Sequence, residues 1–70
     1  MNHYLIEIHW SDEDEGFIAT VPDLPGCCAW GRCAADAARE IEDAQAAWIA
    51  ACLASGEPLP RPLARARDAA

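Results

Sequence analysis

Positive charge is scarce in this chain. Its 70 residues carry 5 Lys plus Arg against 12 Asp plus Glu, for a net charge of −7. Reading DNA or RNA takes clustered Lys and Arg to neutralise phosphates, so direct nucleic-acid binding is not expected. The imbalance favours a basic partner instead. No apolar run is long enough to span a bilayer, so no membrane partner is expected. His3 to Trp10 alternates polar with apolar residues and is no apolar signal region, so export is not expected and a cytoplasmic location is. In a reducing compartment Cys27, Cys28, Cys33 and Cys52 behave as small hydrophobes, and Cys27 and Cys28, being adjacent, are poorly placed to bridge. Size is the last shortage. One small domain has a marginal core, so self-association into a dimer or larger homo-oligomer is the expected source of further stability.

The side chains for catalysis are also missing. Metal-dependent cleavage of nucleic acid needs carboxylates converging on Mg²⁺. Here the central ones crowd into Asp12-Glu13-Asp14-Glu15, a like-charged run that reads as a solvated turn. Glu7 and His9 lie two apart on one strand face, about 6.6 Å, close enough for one ion, but His3 is about 20 Å from His9 and cannot join them. No Cys-x-x-Cys pair offers zinc the close-spaced ligands it favours. Cys33, at the start of a helix, is the one thiol favoured by a helix dipole, and no base stands near it in sequence. The chain therefore reads as a non-enzyme with no catalytic residue, no metal site and no cofactor.

What the chain does contain is a well-marked order of elements. Residues 4–10 alternate, with Tyr4, Ile6, Ile8 and Trp10 on one face and Leu5, Glu7 and His9 on the other, as in a half-buried strand. The polar run from Ser11 to Gly16 predicts a hairpin into a second strand, Phe17 to Val21. There Phe17, Ala19 and Val21 share one face, and Ile18 and Thr20 the other. Pro22 has no N–H to give, so strand pairing must stop there. Pro25-Gly26 fits the centre of a type II turn. A short third strand follows over Cys27 to Trp30, and Gly31 breaks the extension.

A helix is predicted from Ala34 to Ser55, with Ala34, Ala37, Ile41, Ala44, Trp48 and Ala51 on its buried stripe. Cys33 stands at the N-cap, where Ser or Thr would serve better. Gly56 marks the end. Pro58, Pro60 and Pro62 then exclude more helix and leave room for a short extended edge. The expected fold is α+β: three antiparallel strands with one helix on one face. The domain covers residues 1–62 and a tail covers 63–70, with residues 64–70 frayed or in a turn of helix. The three tryptophans read as core first, and any exposed one as an interface anchor.

The run Gly16-Phe17-Ile18-Ala19-Thr20-Val21-Pro22-Asp23-Leu24-Pro25-Gly26-Cys27, then Gly31, then Gly56-Glu57-Pro58-Leu59-Pro60, resembles the N-terminal domain of HicB-family antitoxins. The likeness covers roughly residues 4–62, and two separate motifs agree at the right separation. It implies a partial, degenerate RNase H-like fold. It also implies a type II antitoxin that binds and masks a small basic HicA-type RNA-cleaving toxin, covering the toxin's catalytic His and RNA surface. Members commonly add a C-terminal DNA-binding domain that represses their own operon. Only eight residues follow Pro62, so neither that domain nor autorepression is expected here.

The densest exposed negative charge, Asp12, Glu13, Asp14 and Glu15 with Asp23 at the corner, is the expected toxin-binding surface. Helix residues 46–54 are apolar on every side, more than one buried stripe needs. Ile49 and Leu53, off the stripe, and Leu5 and Ile18, on the open sheet face, are therefore the expected oligomer contacts. The second functional reading is a stand-alone homo-oligomeric binding module with no toxin partner. A third, a small-molecule site on the Trp-lined sheet, has no residue that singles out a ligand.

Overall fold

Alternating side chains and two turn sequences set the architecture. A computed structural model describes residues 3–64. The elements are β1 (Glu7–Ser11), β2 (Gly16–Thr20), β3 (Cys28–Gly31) and α1 (Ala34–Ala54). The strands form one antiparallel sheet in the order β1-β2-β3, and α1 packs on one face, the α+β arrangement the pattern predicts. Glu7 pairs with Thr20 and Ser11 with Gly16, while Phe17 pairs with Gly31 and Thr20 with Cys28.

The corner works as its prolines require. β2 ends at Thr20, and the Val21 N–H donates to the Cys27 carbonyl at 3.1 Å. Leu24 N–H donates to the Val21 carbonyl at 3.0 Å, closing one turn over Pro22 and Asp23. Cys27 N–H donates to the Leu24 carbonyl at 3.0 Å, closing a second over Pro25 and Gly26, where Gly26 takes φ +81°. That positive φ is the type II geometry Gly adopts without steric cost.

The corner also shortens the first strand. The alternation predicts a strand from Tyr4, but β1 begins at Glu7. Thr20 is the last residue of β2, so Tyr4, Leu5 and Ile6 have no strand opposite them. Tyr4 still serves the core: it is buried, and its hydroxyl donates to the Pro60 carbonyl at 2.5 Å.

Ala19 from the sheet, Val21, Leu24 and Cys27 from the corner, Tyr4, and Ala37 and Ile41 from the helix form the core, with Phe17, Ala29, Ala44 and Trp48 packed around it. Gly31 belongs to β3 rather than interrupting it. Its need for glycine is one of space, since a Cβ there would lie 2.2 Å from the Ala37 nitrogen.

The buried stripe of α1 departs from the predicted one at both ends. Ala34 and Ala51 are exposed, and Cys52 is buried in place of Ala51. Ala34 precedes the point of closest approach, where Ala37 lies over Gly31. After Trp48, a four-residue step rather than three keeps the next side chain turned inward, and the Cys52 thiol reaches the Glu57 and Pro58 carbonyls at 3.5 and 3.6 Å. Ile49, predicted off the stripe, is half-buried against the core.

The helix ends differ in quality. At the C-terminus Gly56 takes φ +77°, Gly56 N–H donates to Leu53 at 3.1 Å and Glu57 N–H to Cys52 at 3.2 Å. These two bonds form a Schellman cap. At the N-terminus Cys33 has the extended backbone of an N-cap but makes no side-chain cap bond. Asp36, placed to complete a capping box, pairs instead with Arg39 at 2.6 Å. Cys33→Thr should therefore raise stability by about 0.5–1 kcal/mol, by giving a free helix N–H an acceptor. Urea midpoints of the two proteins compare them; an unchanged or lower midpoint counts against the cap reading.

Residues 57–64 form no strand, because the three prolines remove the donors a strand would need. Beyond the Cys52 contacts at its start, the segment is held by the Tyr4 hydroxyl on Pro60 and by the Asp23 carboxylate, which accepts the Ala64 N–H at 3.0 and 3.2 Å. The remainder of the expected tail, from residue 65, lies outside the described residues.

Candidate partner-binding site

The β1–β2 connection carries Asp12, Glu13, Asp14 and Glu15, all exposed. Four like charges on a short loop repel one another, so something must hold the backbone. Glu15 N–H donates to the Asp12 carbonyl at 3.4 Å. The Ser11 hydroxyl donates to the Asp14 carboxylate at 2.9 Å and accepts the Asp14 N–H at 3.3 Å.

Two indoles complete the support. Trp10 Nε1–H donates to the Asp12 carboxylate at 2.7 Å, and Trp30 Nε1–H to the Asp14 carbonyl at 3.0 Å. Trp30 lies across Gly16, where an added Cβ would sit 2.3 Å from the indole nitrogen. Neither tryptophan belongs to the core, contrary to the first reading: Trp10 is 51% and Trp30 44% exposed. The pattern missed their role, although an indole needs an acceptor and the adjoining turn is rich in them.

Glu15 takes φ +51°, a left-handed conformation that costs a non-glycine residue roughly 1–2 kcal/mol. Glu15→Gly should raise the thermal midpoint. An unchanged or lower midpoint would mean the Glu15 side chain makes up that cost.

Asp23 does not join this cluster. The hairpin precedes β2 and the corner follows it, so the two are separated by about 17 Å, the length of a five-residue strand. Asp23 is half-buried, and its carboxylate is already engaged by Ala64.

The four residues expected at an oligomer contact also divide. Leu5 and Ile18 are half-buried, Ile18 on the sheet face away from α1; Ile49 faces the core; Leu53, on the helix, is 59% exposed. The helix lies chiefly over β3 and β2 and least over β1. Ile8 and Trp10 are therefore left exposed on the helix side of the first strand.

Glu7 and His9 are exposed on the open sheet face, and His3 lies outside β1. Among the described residues no group of three or more His, Cys, Asp or Glu is arranged to hold a metal ion. All four cysteines are free, with Cys27 and Cys52 buried and Cys28 and Cys33 exposed. Burial pushes the Cys27 thiol up, with a smaller contribution from Cys28 beside it. A raised pKa favours folding below the unfolded value and loses that contribution as pH climbs through the folded one. A thiol reagent at neutral pH should thus label Cys28 and Cys33 quickly, and Cys27 and Cys52 only on unfolding. Fast labelling of Cys27 would contradict the packing of the corner.

The site is thus an acidic hairpin stapled by two indoles on a small α+β domain. A family model described as the HicB-like antitoxin of a bacterial toxin–antitoxin system matches residues 4–68. The chain belongs to that family, and so to the antitoxins of toxin–antitoxin systems. No curated protein and no solved structure matches it. Among the described residues no helix is long and apolar enough to cross a membrane.

Proposed function

We propose that this antitoxin binds and masks a small basic RNA-cleaving toxin of the HicA type, using the hairpin Asp12–Glu15 as its main electrostatic contact. The observation that carries the reading is the hairpin itself: four exposed carboxylates on a loop fixed by Ser11, Trp10 and Trp30. A fixed acidic loop competes with RNA phosphate for a basic surface without the entropy cost of ordering on contact. Asp23 contributes by holding the C-terminal segment rather than by touching the toxin. The test is growth of cells expressing a cognate toxin. Co-expression of this chain should restore growth, and the variant with Asp12, Glu13, Asp14 and Glu15 replaced by their amides should restore it poorly. Rescue no better than an empty vector overturns the reading.

A second reading, a self-assembling binding module without a toxin, is favoured by the exposed Ile8 and Trp10. It predicts no rescue together with a stable oligomer.

A further inference from the structure

Among the described residues β1 is an edge strand, hydrogen-bonded only to β2. Proteins usually guard such an edge with Pro, Lys, a bulge or a covering element. β1, Glu-Ile-His-Trp-Ser, has no Pro or Lys. Its pairing with β2 runs unbroken from Glu7 to Ser11, so no bulge twists it away. The helix leaves it the least covered of the strands. Ile8 and Trp10 are consequently exposed on the helix side, and Glu7 and His9 on the open side.

We propose that two copies of this chain pair antiparallel along β1, with the two-fold axis at Ile8. In that register Ile8 faces Ile8 of the second copy, Glu7 faces His9 of the second copy, and His9 faces its Glu7. The complementarity comes from the sequence of the strand itself. Glu7 and His9 flank Ile8 symmetrically, so a two-fold there sets an accepting carboxylate against an imidazole twice. Among the described residues neither has an ion-pair partner within the chain. His9 lies beside Ile18 and, beyond it, Trp30, neither of them charged.

The neighbouring registers are poorer. An axis at Glu7 sets two carboxylates face to face, which destabilises a pair directly opposite. An axis at His9 sets imidazole against imidazole and leaves Glu7 opposite Ser11. The axis at Ile8 also gathers apolar side chains on the helix side, Ile8 against Ile8 with Trp10 of each copy beside Ile6 of the other; the axis at His9 would set Ile8 against Trp10 but forgoes both Glu7–His9 pairs. The interface shares Trp10 with the support of the acidic hairpin, but its test is the oligomeric state of the chain alone and needs no toxin.

The test reads both association and register. Light scattering at micromolar concentration should give twice the chain mass. His9→Glu should weaken dimerisation about tenfold, since two carboxylate–imidazole pairs become two like-charge pairs. The double variant Glu7→Lys/His9→Glu should restore it. With Cys28 and Cys33 replaced by Ser, Ile8→Cys should oxidise to a disulfide-linked dimer much faster than His9→Cys. Circular dichroism and thermal unfolding of each variant establish that it is folded, as these exposed positions allow. A monomer at every concentration, a double variant no better than His9→Glu alone, or faster cross-linking through His9→Cys or Leu53→Cys than through Ile8→Cys overturns the proposal.

Discussion

Ile41→Ala should remove a large share of the stability of this fold. Ile41 is fully buried and touches the sheet through the core formed by Ala19, Val21 and Leu24. Truncating a fully buried Ile or Leu costs about 2–5 kcal/mol, more where the surroundings cannot collapse into the gap. A chain of this length has roughly 3.5–10 kcal/mol in total. With a single helix on a single sheet, no second layer can move in to fill the space. Urea unfolding followed by circular dichroism gives the difference directly. A loss below about 1 kcal/mol would mean that the helix is not held where Ile41 places it.

Gly31→Ala should be nearly as damaging, for the opposite reason. The new Cβ would lie 2.2 Å from the Ala37 nitrogen, 2.6 Å from its Cα and 2.7 Å from the Asp36 carbonyl carbon. All three are helix backbone, which cannot swing aside as a side-chain tip can. Overpacking of this kind costs about 1–3 kcal/mol, sometimes more. Here it would push the first turns of α1 away from β3 and strip cover from Ala19 and Ala29. Gly26→Ala provides the contrast: a Cβ there meets nothing within 4 Å, so only its positive φ opposes the change. Gly31→Ala should lower the thermal midpoint more than Gly26→Ala does. The reverse order would contradict the close approach of helix and strand.

The parts of this fold that could be read from the residues are those governed by local chemistry. Pro22, Pro25 and Gly26 dictate the corner, Gly56 the helix end, and the alternation of Phe17, Ala19 and Val21 the buried face; each is found in its place. Most of the misreadings are non-local. The start of β1 depends on where its neighbour ends. The last buried turn of α1 depends on the carbonyls of Glu57 and Pro58, which draw in Cys52. The engagement of Asp23 with Ala64 spans 41 positions and leaves no trace in the spacing of either. The same holds at the candidate site. The acidic run is plain in the sequence, whereas its indole supports are not, because Trp30 reaches Asp14 only once β3 lies beside β2.

The most direct test of the toxin-masking account is the rate at which the purified chain associates with a cognate basic toxin as salt is raised. Attraction between exposed charges is screened within a Debye length of about 8 Å at physiological ionic strength. The wild-type rate should fall steeply with salt. Changing Asp12 and Asp14 to Asn and Glu13 and Glu15 to Gln should lower the low-salt rate by at least about tenfold and flatten its salt dependence, with thermal stability nearly unchanged. Equal rates and equal salt slopes for the two proteins would contradict the assignment of the hairpin as the toxin-binding surface.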